Sequence, residues 1–298
     1  LNASQKGMMV AVPILGGAVL RLALGLLVDR IGAKTTGIVA QLIVMAALAA
    51  GWVFGLKNFE ATLVFGFVLG IAGASFAVAL PQAGRWYPPQ MQGKVLGLAG
   101  AGNVGVVIDS LLAPRLANAY GWNAVFGLML IPAVAVFIAY LLITKEPPAK
   151  VKPKSVRDYL GLFAEKDTWW FCFFYTISFG GFAGLAASLV MYFKSTHGLT
   201  KVQAGDWSAL VVFAGVMARP LGGIVMAHFG DLSGRKKMFM LSILLMAIPT
   251  LLMGLLPTYA MVGWWAPVLI ILLRICQGLA VAGEQSSATS MVLASTIE

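Results

Sequence analysis

Two arginines stand in the middle of long apolar runs, where a charged side chain is unfavourable. Arg21 lies in GGAVLRLALG and Arg219 lies in GVMARPLGG. An arginine inside a membrane-spanning helix costs at least about 2.5 kcal/mol, so its presence there indicates a functional role. Its guanidinium is planar and permanently charged, and it binds a planar oxyanion through two parallel hydrogen bonds. The two arginines therefore predict a site for a planar anion; the alternative is a structural arginine that is bonded to backbone carbonyls.

A glycine-rich stretch is the second candidate feature. Residues 97–114, GLAGAGNVGVVIDSLLAP, are apolar enough to cross a membrane. Four glycines and one amide stand where a lipid-facing helix carries larger apolar residues: Gly97, Gly100, Gly102, Gly105 and Asn103. Small residues at helical spacing let a second helix approach closely, and an amide inside a span needs a partner. We expect this helix to face protein or a water-lined path, although a tight helix crossing without a ligand explains the glycines equally well.

The composition is that of an integral membrane protein. Of the 298 residues, 60% are hydrophobic and 11% are charged, and the mean hydropathy is +0.89. Nine apolar runs have about the 20 residues that cross a bilayer as a helix. These predicted spans are roughly 8–28, 36–56, 61–83, 95–117, 122–143, 169–192, 206–228, 238–256 and 265–284. No strand-like alternation competes, so the predicted fold class is all-α, a polytopic membrane protein with about nine transmembrane helices.

Basic residues are concentrated in alternate loops. The loops after the first, third, fifth and seventh predicted spans contain thirteen Lys and Arg residues, and the intervening loops contain three. The positive-inside rule places the first set in the cytoplasm and the N-terminus of the chain outside an inner (plasma) membrane. The net charge of +10 therefore reflects topology, so the expected partner is the lipid bilayer and no nucleic acid is expected.

A basic, proline-rich stretch, residues 144–167, separates two groups of predicted spans. It contains KEPPAKVKPK, which is typical of a linker between helical bundles. Contact with anionic lipid is a second role for its lysines. We expect an N-terminal bundle over 1–143, this cytoplasmic linker, and a partial C-terminal bundle over 168–298.

A short motif occurs once in each predicted bundle. GLLVDRIGAK follows the first span and HFGDLSGRKK follows the seventh. Each joins two helices through a tight loop with an acid, a glycine and a base: Asp29, Gly32 and Lys34 in the first, and Asp231, Gly234 and Arg235 in the second. The acid can accept hydrogen bonds from the N-terminus of a neighbouring helix. Internal repeats on both sides of a linker are typical of a transporter.

These loops resemble the signature loop of the major facilitator superfamily. Residues 74–122, which run from ASFAVALPQAGRW through the glycine-rich helix to APRLANAYGW, resemble the nitrate/nitrite porter family, as do DTWWFCFFYTISFGGF and GLTKVQAG. The resemblance covers roughly residues 8–223. It implies a two-bundle fold of which this chain holds helices two to ten. The first, eleventh and twelfth helices are missing, so we expect an incomplete major facilitator fold and a fragment.

The resemblance also implies a substrate site, made by Arg21, Arg219, Tyr175, Phe179, Phe76 and Asn103. The arginines match the paired substrate arginines of the family, one per bundle, and the aromatic faces suit a flat anion. The implied function is transport of nitrate or nitrite across a bacterial-type inner membrane by alternating access between the bundles. Nitrate/nitrite exchange and proton-coupled nitrate uptake both remain open, and exchange is favoured because two buried arginines repel each other without an anion. We expect a monomer without cofactor or metal.

The resemblance changes from about residue 224. LLRICQGLAVAGEQ resembles the proton-coupled metabolite symporters of the same superfamily, in which RICQG belongs to a fourth helix and not to a tenth. Moreover, Arg21 precedes Asp29 by eight residues, whereas Arg219 precedes Asp231 by twelve. Two hypotheses stay open, a gene junction near 218–223 and a divergent porter. The matching alternative functions are proton-coupled symport of a small organic metabolite, and an inactive fragment or chimera.

Three further points concern the chemistry that the sequence allows. No phosphate loop, nucleophile elbow or metal-ligand cluster is present in the sequence, so we expect no enzymatic activity and no metal. Asp109, inside the fourth predicted span, could carry a proton or pair with Arg115. Arg274 could be a functional residue of the second family or part of a helix contact.

Overall fold

The computed structural model describes residues 2–88, 91–148, 161–257, 259–263 and 265–295. Over these residues every regular element is helical, which confirms the predicted all-α fold class. The helices are α1 (Ala3–Ile31), α2 (Ala33–Phe54), α3 (Phe59–Ala74), α4 (Phe76–Arg85), α5 (Gln92–Gly100), α6 (Val104–Tyr120), α7 (Trp122–Ile143), α8 (Lys166–Tyr175), α9 (Gly181–His197), α10 (Lys201–Ser233), α11 (Arg235–Gly254), α12 (Tyr259–Val262) and α13 (Trp265–Ser295). A 3₁₀ turn, Ala101–Asn103, joins α5 to α6, and a π-helical turn, Thr176–Gly180, joins α8 to α9.

Seven helices of the described residues are long and apolar enough to cross a membrane, so the chain is a multi-pass membrane protein. They are Ser4–Ile31, Ala33–Phe54, Phe59–Arg85, Lys94–Tyr120, Trp122–Ile143, Lys201–Gly230 and Lys237–Gly254, and each covers most of one predicted span. The predicted span 265–284 begins as a shorter apolar helix, Trp265–Val281.

The predicted span 169–192 is not one continuous α-helix, because the π-helical turn divides it. The hydroxyl of Thr176 donates to the carbonyl of Cys172 at 2.7 Å. A side-chain bond of this kind competes with the helical hydrogen bonds and often bends a helix. Apolar periodicity alone does not reveal such a turn, which explains why this predicted span is absent from the seven long helices.

The contacts divide the chain into two compact units that do not follow chain order. Unit 1 contains Leu1–Trp86 and Leu112–Ala164, and unit 2 contains Tyr87–Leu111 and Glu165–Glu298. The glycine-rich helix α5 therefore belongs to the same unit as α10 and α13. The predicted division at the linker stays a prediction, and linker residues 149–160 lie outside the described residues.

Unit 1 is organised by a close crossing of α1 and α3. A Cβ added at Gly16 would lie 2.5 Å from the carbonyl oxygen of Phe67, and one added at Gly70 would lie 2.5 Å from the nitrogen of Gly17. Glycine at these positions lets the two backbones touch. The apolar core beside the crossing consists of Leu24, Val28, Ala33, Ala40, Ile71, Ala74 and Val78.

Unit 2 is built around α10, which packs against α5, α9, α11 and α13. Its crossing with α13 depends on glycines in both helices. A Cβ at Gly222 would overlap the carbonyl of Leu279, and one at Gly278 would overlap the carbonyl of Gly215. The core next to this crossing consists of Val107, Leu189, Phe193, Ala204, Ala209, Val211, Val212 and Val216. Polar side chains on both helices are buried in this region, among them Arg219, Arg274 and Gln277.

Candidate anion-binding site

Arg219, near the middle of α10, is buried with one edge of its guanidinium unpaired. Only 1% of the residue is exposed. Its Nη1 donates to the carbonyl of Gly100 at 3.3 Å, while Nε and Nη2 have no hydrogen-bond partner among the described residues. Nε and Nη2 lie side by side and point the same way, so together they can donate two parallel hydrogen bonds to one oxyanion. Arg219 thus presents an unpaired donor fork inside unit 2.

The carbonyl of Gly100 is available to Arg219 because of the 3₁₀ turn. The N–H of Val104 donates to the carbonyls of Ala101 and Gly102 and not to that of Gly100. The Gly100 carbonyl accepts instead from Arg219 and from the Nδ2 of Asn103, which lies 3.2 Å away. The structure therefore brings three predicted site residues together at one carbonyl: Arg219, Gly100 and Asn103.

The signature glycines fall into two groups. A Cβ at Gly97 would lie 3.0 Å from the Cα of Gly223, and one at Gly100 would lie 3.4 Å from the Cδ of Arg219. At Gly102 and Gly105 an added Cβ would meet no described atom within 4 Å. The close contact of α5 with α10 therefore runs through the first two glycines, and a tight helix crossing accounts for them.

Three aromatic rings follow one another in unit 2, and the last of them contacts Arg219. Tyr175 and Phe179 are stacked, with ring centroids 5.2 Å apart and planes at 4°. Phe179 is followed by Phe182, whose centroid is 6.4 Å away. The guanidinium carbon of Arg219 lies 4.3 Å from the Phe182 centroid, in a cation–π contact. The π-helical turn lies between Tyr175 and Gly181, and it places the predicted pair of rings on the face that holds Phe182.

Arg274, in α13, is a second buried arginine at the same ring. Its guanidinium carbon lies 4.1 Å from the Phe182 centroid, and the residue is 0% exposed. Its Nη1 donates to the Oε1 of Gln277 at 2.8 Å and its Nη2 to the carbonyl of Phe182 at 3.1 Å. Its Nε has no partner among the described residues.

The sequence reasoning did not select Phe182 or Gln277, and it left the role of Arg274 open. Arg274 carries the same signal as Arg219, a charge in the middle of an apolar run, LLRICQG. Phe182 follows Tyr175 by seven residues, which is two helical turns, so the two share one helix face. Both signals were present in the sequence, but the crossing of α10 and α13 that brings them together was not.

Arg21 and Phe76, the other predicted substrate residues, belong to unit 1. The Nη2 of Arg21 donates to the carbonyl of Gly73 at 3.4 Å, and the residue is only partly buried. Phe76 is the first residue of α4, directly after the break at Ser75 that ends α3. The pairing of Arg21 with Arg219 stays a prediction.

The two signature loops share one backbone feature. Gly32 ends α1 with φ +89°, Gly234 ends α10 with φ +92°, and the next helix starts immediately. Positive φ is unfavourable for side chains other than glycine, so the predicted tight loops require these two residues. The side chains of Asp231 and Arg235 lie outside the described part of the structure.

The first loop is held by three polar contacts. Asp29 forms a salt bridge with Arg85 at 2.9 Å, and the Nζ of Lys34 donates to the carbonyl of Leu141 at 3.1 Å. The acid at the N-terminus of α2 is Glu146, which sequence reasoning missed. Its carboxylate accepts from the backbone nitrogens of Ala33 at 3.1 Å and Lys34 at 2.7 Å, a favourable place for a negative charge.

The chain belongs to the Major Facilitator Superfamily, whose family model matches residues 1–232. Within that superfamily, 75% of the chain is similar to a nitrate/nitrite porter, in agreement with the predicted resemblance. It is 30% identical over 226 residues to the probable nitrate/nitrite transporter NarK2 of Mycobacterium tuberculosis, which covers 75% of this chain and 57% of that protein. The chain thus spans little more than half the length of this relative.

Two further similarities bear on the function and the fold. The shikimate transporter of Escherichia coli is 38% identical over 136 residues, which is 45% of this chain and 29% of that protein. The xylose transporter XylE of E. coli, in a partially occluded inward-open conformation, aligns with a TM-score of 0.58 at 15% identity over 98% of this chain and 76% of that one. These proteins are transporters and not enzymes, which supports the prediction that the chain is not an enzyme.

Proposed function

We propose that this chain moves nitrate or nitrite across the bacterial inner membrane by alternating access, with Arg219 as the principal anion-binding residue. The observation that carries the proposal is the unpaired Nε/Nη2 fork of a residue that is 1% exposed. A buried charge is unfavourable unless it is compensated. A monovalent planar oxyanion compensates the charge and accepts both hydrogen bonds at once.

The neighbouring groups suit the same ligand. Stacked rings at Tyr175, Phe179 and Phe182 offer flat faces beside the guanidinium. In the described part of the structure no carboxylate forms a salt bridge with Arg219, so an internal acid does not take the place of the anion there. We assign Arg21 as the arginine that unit 1 contributes, as the family resemblance implies.

We favour exchange of nitrate for nitrite over proton-coupled uptake. The charges of buried arginines repel each other without an anion, so a change of conformation while empty is disfavoured. Exchange avoids that step, because an anion is bound in both directions of transport. Proton coupling would require a carboxylate or a histidine beside the site, and the described hydrogen bond and ring contact of Arg219 involve neither.

A counterflow assay with the chain reconstituted in liposomes tests this function. Labelled nitrate is expected to enter nitrite-loaded liposomes faster than empty ones, and a proton gradient should add little. Liposomes that contain the chain but take up no more nitrate than protein-free liposomes would contradict the proposal.

Symport of a small organic acid is the second candidate. The match to the E. coli shikimate transporter favours it, and a carboxylate is also a planar anion that binds a guanidinium fork. The same liposomes distinguish the two candidates. Uptake of labelled shikimate that depends on a proton gradient, with no uptake of nitrate, would favour the second candidate.

A further inference from the structure

Two buried guanidinium groups share one aromatic ring in unit 2. Both guanidinium carbons lie near the Phe182 centroid, at 4.3 Å for Arg219 and 4.1 Å for Arg274. The two positive charges are therefore no farther apart than the sum of these distances. Both residues are at most 1% exposed, so solvent screens their repulsion poorly.

The pair lacks an internal counter-charge over the described residues. The hydrogen bonds of Arg219 and Arg274 go to the carbonyls of Gly100 and Phe182 and to the amide of Gln277. These acceptors are neutral, and three donor nitrogens still have no partner, Nε and Nη2 of Arg219 and Nε of Arg274. Because both side chains are positively charged and both keep unpaired N–H donors, the two arginines are suited to share one anion.

We propose that Arg274 is a second anion-binding residue, which holds one planar oxyanion together with Arg219 inside unit 2. This inference rests on the proposed function and extends it, because it assigns the site a cation that the family resemblance does not supply. The Nε/Nη2 fork of Arg219 takes two oxygen contacts, and the Nε of Arg274 donates to the same anion.

A chain of hydrogen bonds fixes the orientation of Arg274. Gln277 accepts from its Nη1 at 2.8 Å, and the Nε2 of Gln277 donates in turn to the hydroxyl of Thr250 at 2.8 Å. The carbonyl of Phe182 holds the Nη2. Because these partners occupy the two terminal nitrogens, Nε remains for a ligand. Gln277 and Thr250 are thus positioning residues, since they act through Arg274.

The test compares nitrate binding to the purified full chain before and after Arg274→Gln. Affinity is measured by titration with sodium nitrate at constant ionic strength, with sodium chloride as the replacement salt. We expect at least a tenfold loss of nitrate affinity. Arg274→Lys, which keeps the charge but loses the fixed geometry of the guanidinium, should lose less.

Thermal unfolding separates a binding role from a structural one. A ligand that binds only the folded state raises the midpoint by an amount that grows with the logarithm of its concentration relative to its Kd. We expect Arg274→Gln to lose the nitrate-dependent rise, which is measured against its own midpoint without nitrate because the substitution removes both a buried like charge and the hydrogen bonds to Phe182 and Gln277. Arg85→Gln is the matched control. It breaks the salt bridge with Asp29, so it should lower the midpoint and leave the nitrate-dependent rise intact.

Each outcome bears on one claim. Wild-type chain that binds no nitrate or nitrite overturns the proposed function, and this inference with it. Wild-type chain that binds nitrate while Arg274→Gln and Arg274→Lys bind it equally well overturns only the inference. If Arg274→Gln does not fold, a wild-type affinity of the lysine variant also overturns it, and a reduced affinity supports it.

Discussion

Arg21 and Arg219 occupy related places in the two signature repeats, yet their settings differ. Each lies on a helix that ends at a glycine with positive φ, Gly32 for α1 and Gly234 for α10. Arg21 stands eleven residues before its glycine and Arg219 stands fifteen before. Four more residues of helix correspond to about 6 Å, so Arg219 lies about one turn farther from its loop. This offset supports the hypothesis of a gene junction near 218–223.

Polar groups also differ between the units in how they are paired. In unit 1 three charged side chains are paired within the protein, Arg85 with Asp29 and Glu146 with the start of α2. In unit 2 the two buried arginines keep unpaired N–H groups. Paired groups stabilise a fold, whereas buried donors without partners are costly and indicate a ligand. We therefore assign these paired charges of unit 1 to stability, and the arginines of unit 2, together with Arg21, to binding.

The largest expected effect comes from Arg219→Lys. An ammonium lacks the fork, so nitrate should bind about 100-fold more weakly, which corresponds to about 2.7 kcal/mol. Arg21→Lys should weaken binding about tenfold, because Arg21 is only partly buried and charge there is better screened. Titration of both variants with sodium nitrate measures how much affinity each variant loses, and the two losses are then compared. Equal losses would remove the distinction between the two arginines.

A smaller effect is expected at the contact between α5 and α10. Gly97→Ala places a Cβ 3.0 Å from the Cα of Gly223, so the helices must separate, at about 1–2 kcal/mol of unfolding free energy. Gly102→Ala is the matched control, since its Cβ meets no described atom within 4 Å. Thermal unfolding in detergent should show a lower midpoint for the first variant alone. Two equal midpoints would show that this contact does not hold α5 on α10.

The smallest effect is expected at the first signature loop. Glu146→Gln removes the charge that accepts from Ala33 and Lys34 at the start of α2, and about 1 kcal/mol of stability should be lost. Nitrate affinity should not change, because this contact has a structural role. Glu165→Gln, at an exposed position that makes no capping bond, should alter neither quantity. A change in nitrate affinity for Glu146→Gln would contradict the assignment of this contact to stability alone.

The sequence was sufficient for the fold class and the family, and it singled out Arg219, which the structure buries. Apolar runs of constant length predict membrane helices without knowledge of their neighbours, and an arginine in such a run is conspicuous. The glycines of the signature helix left two alternatives open, and the close helix contact at Gly97 matches one of them. Gly32 and Gly234 were predictable as loop residues because their conformational requirement is local.

The rest depends on contacts between residues far apart in the chain. Phe182 and Arg274 meet only because α10 and α13 cross at glycines, and one sequence does not reveal which spans cross. Glu146 caps a helix that begins at Ala33, more than one hundred residues earlier. The π-helical turn escaped prediction because the apolar pattern continues through it.

A structure determined in the presence of sodium nitrate tests the central claim most directly. We predict a planar density within hydrogen-bond distance of both Nε and Nη2 of Arg219. The claim would be contradicted if both nitrogens were bonded to a protein carboxylate, or if nitrate were bound with neither nitrogen in contact.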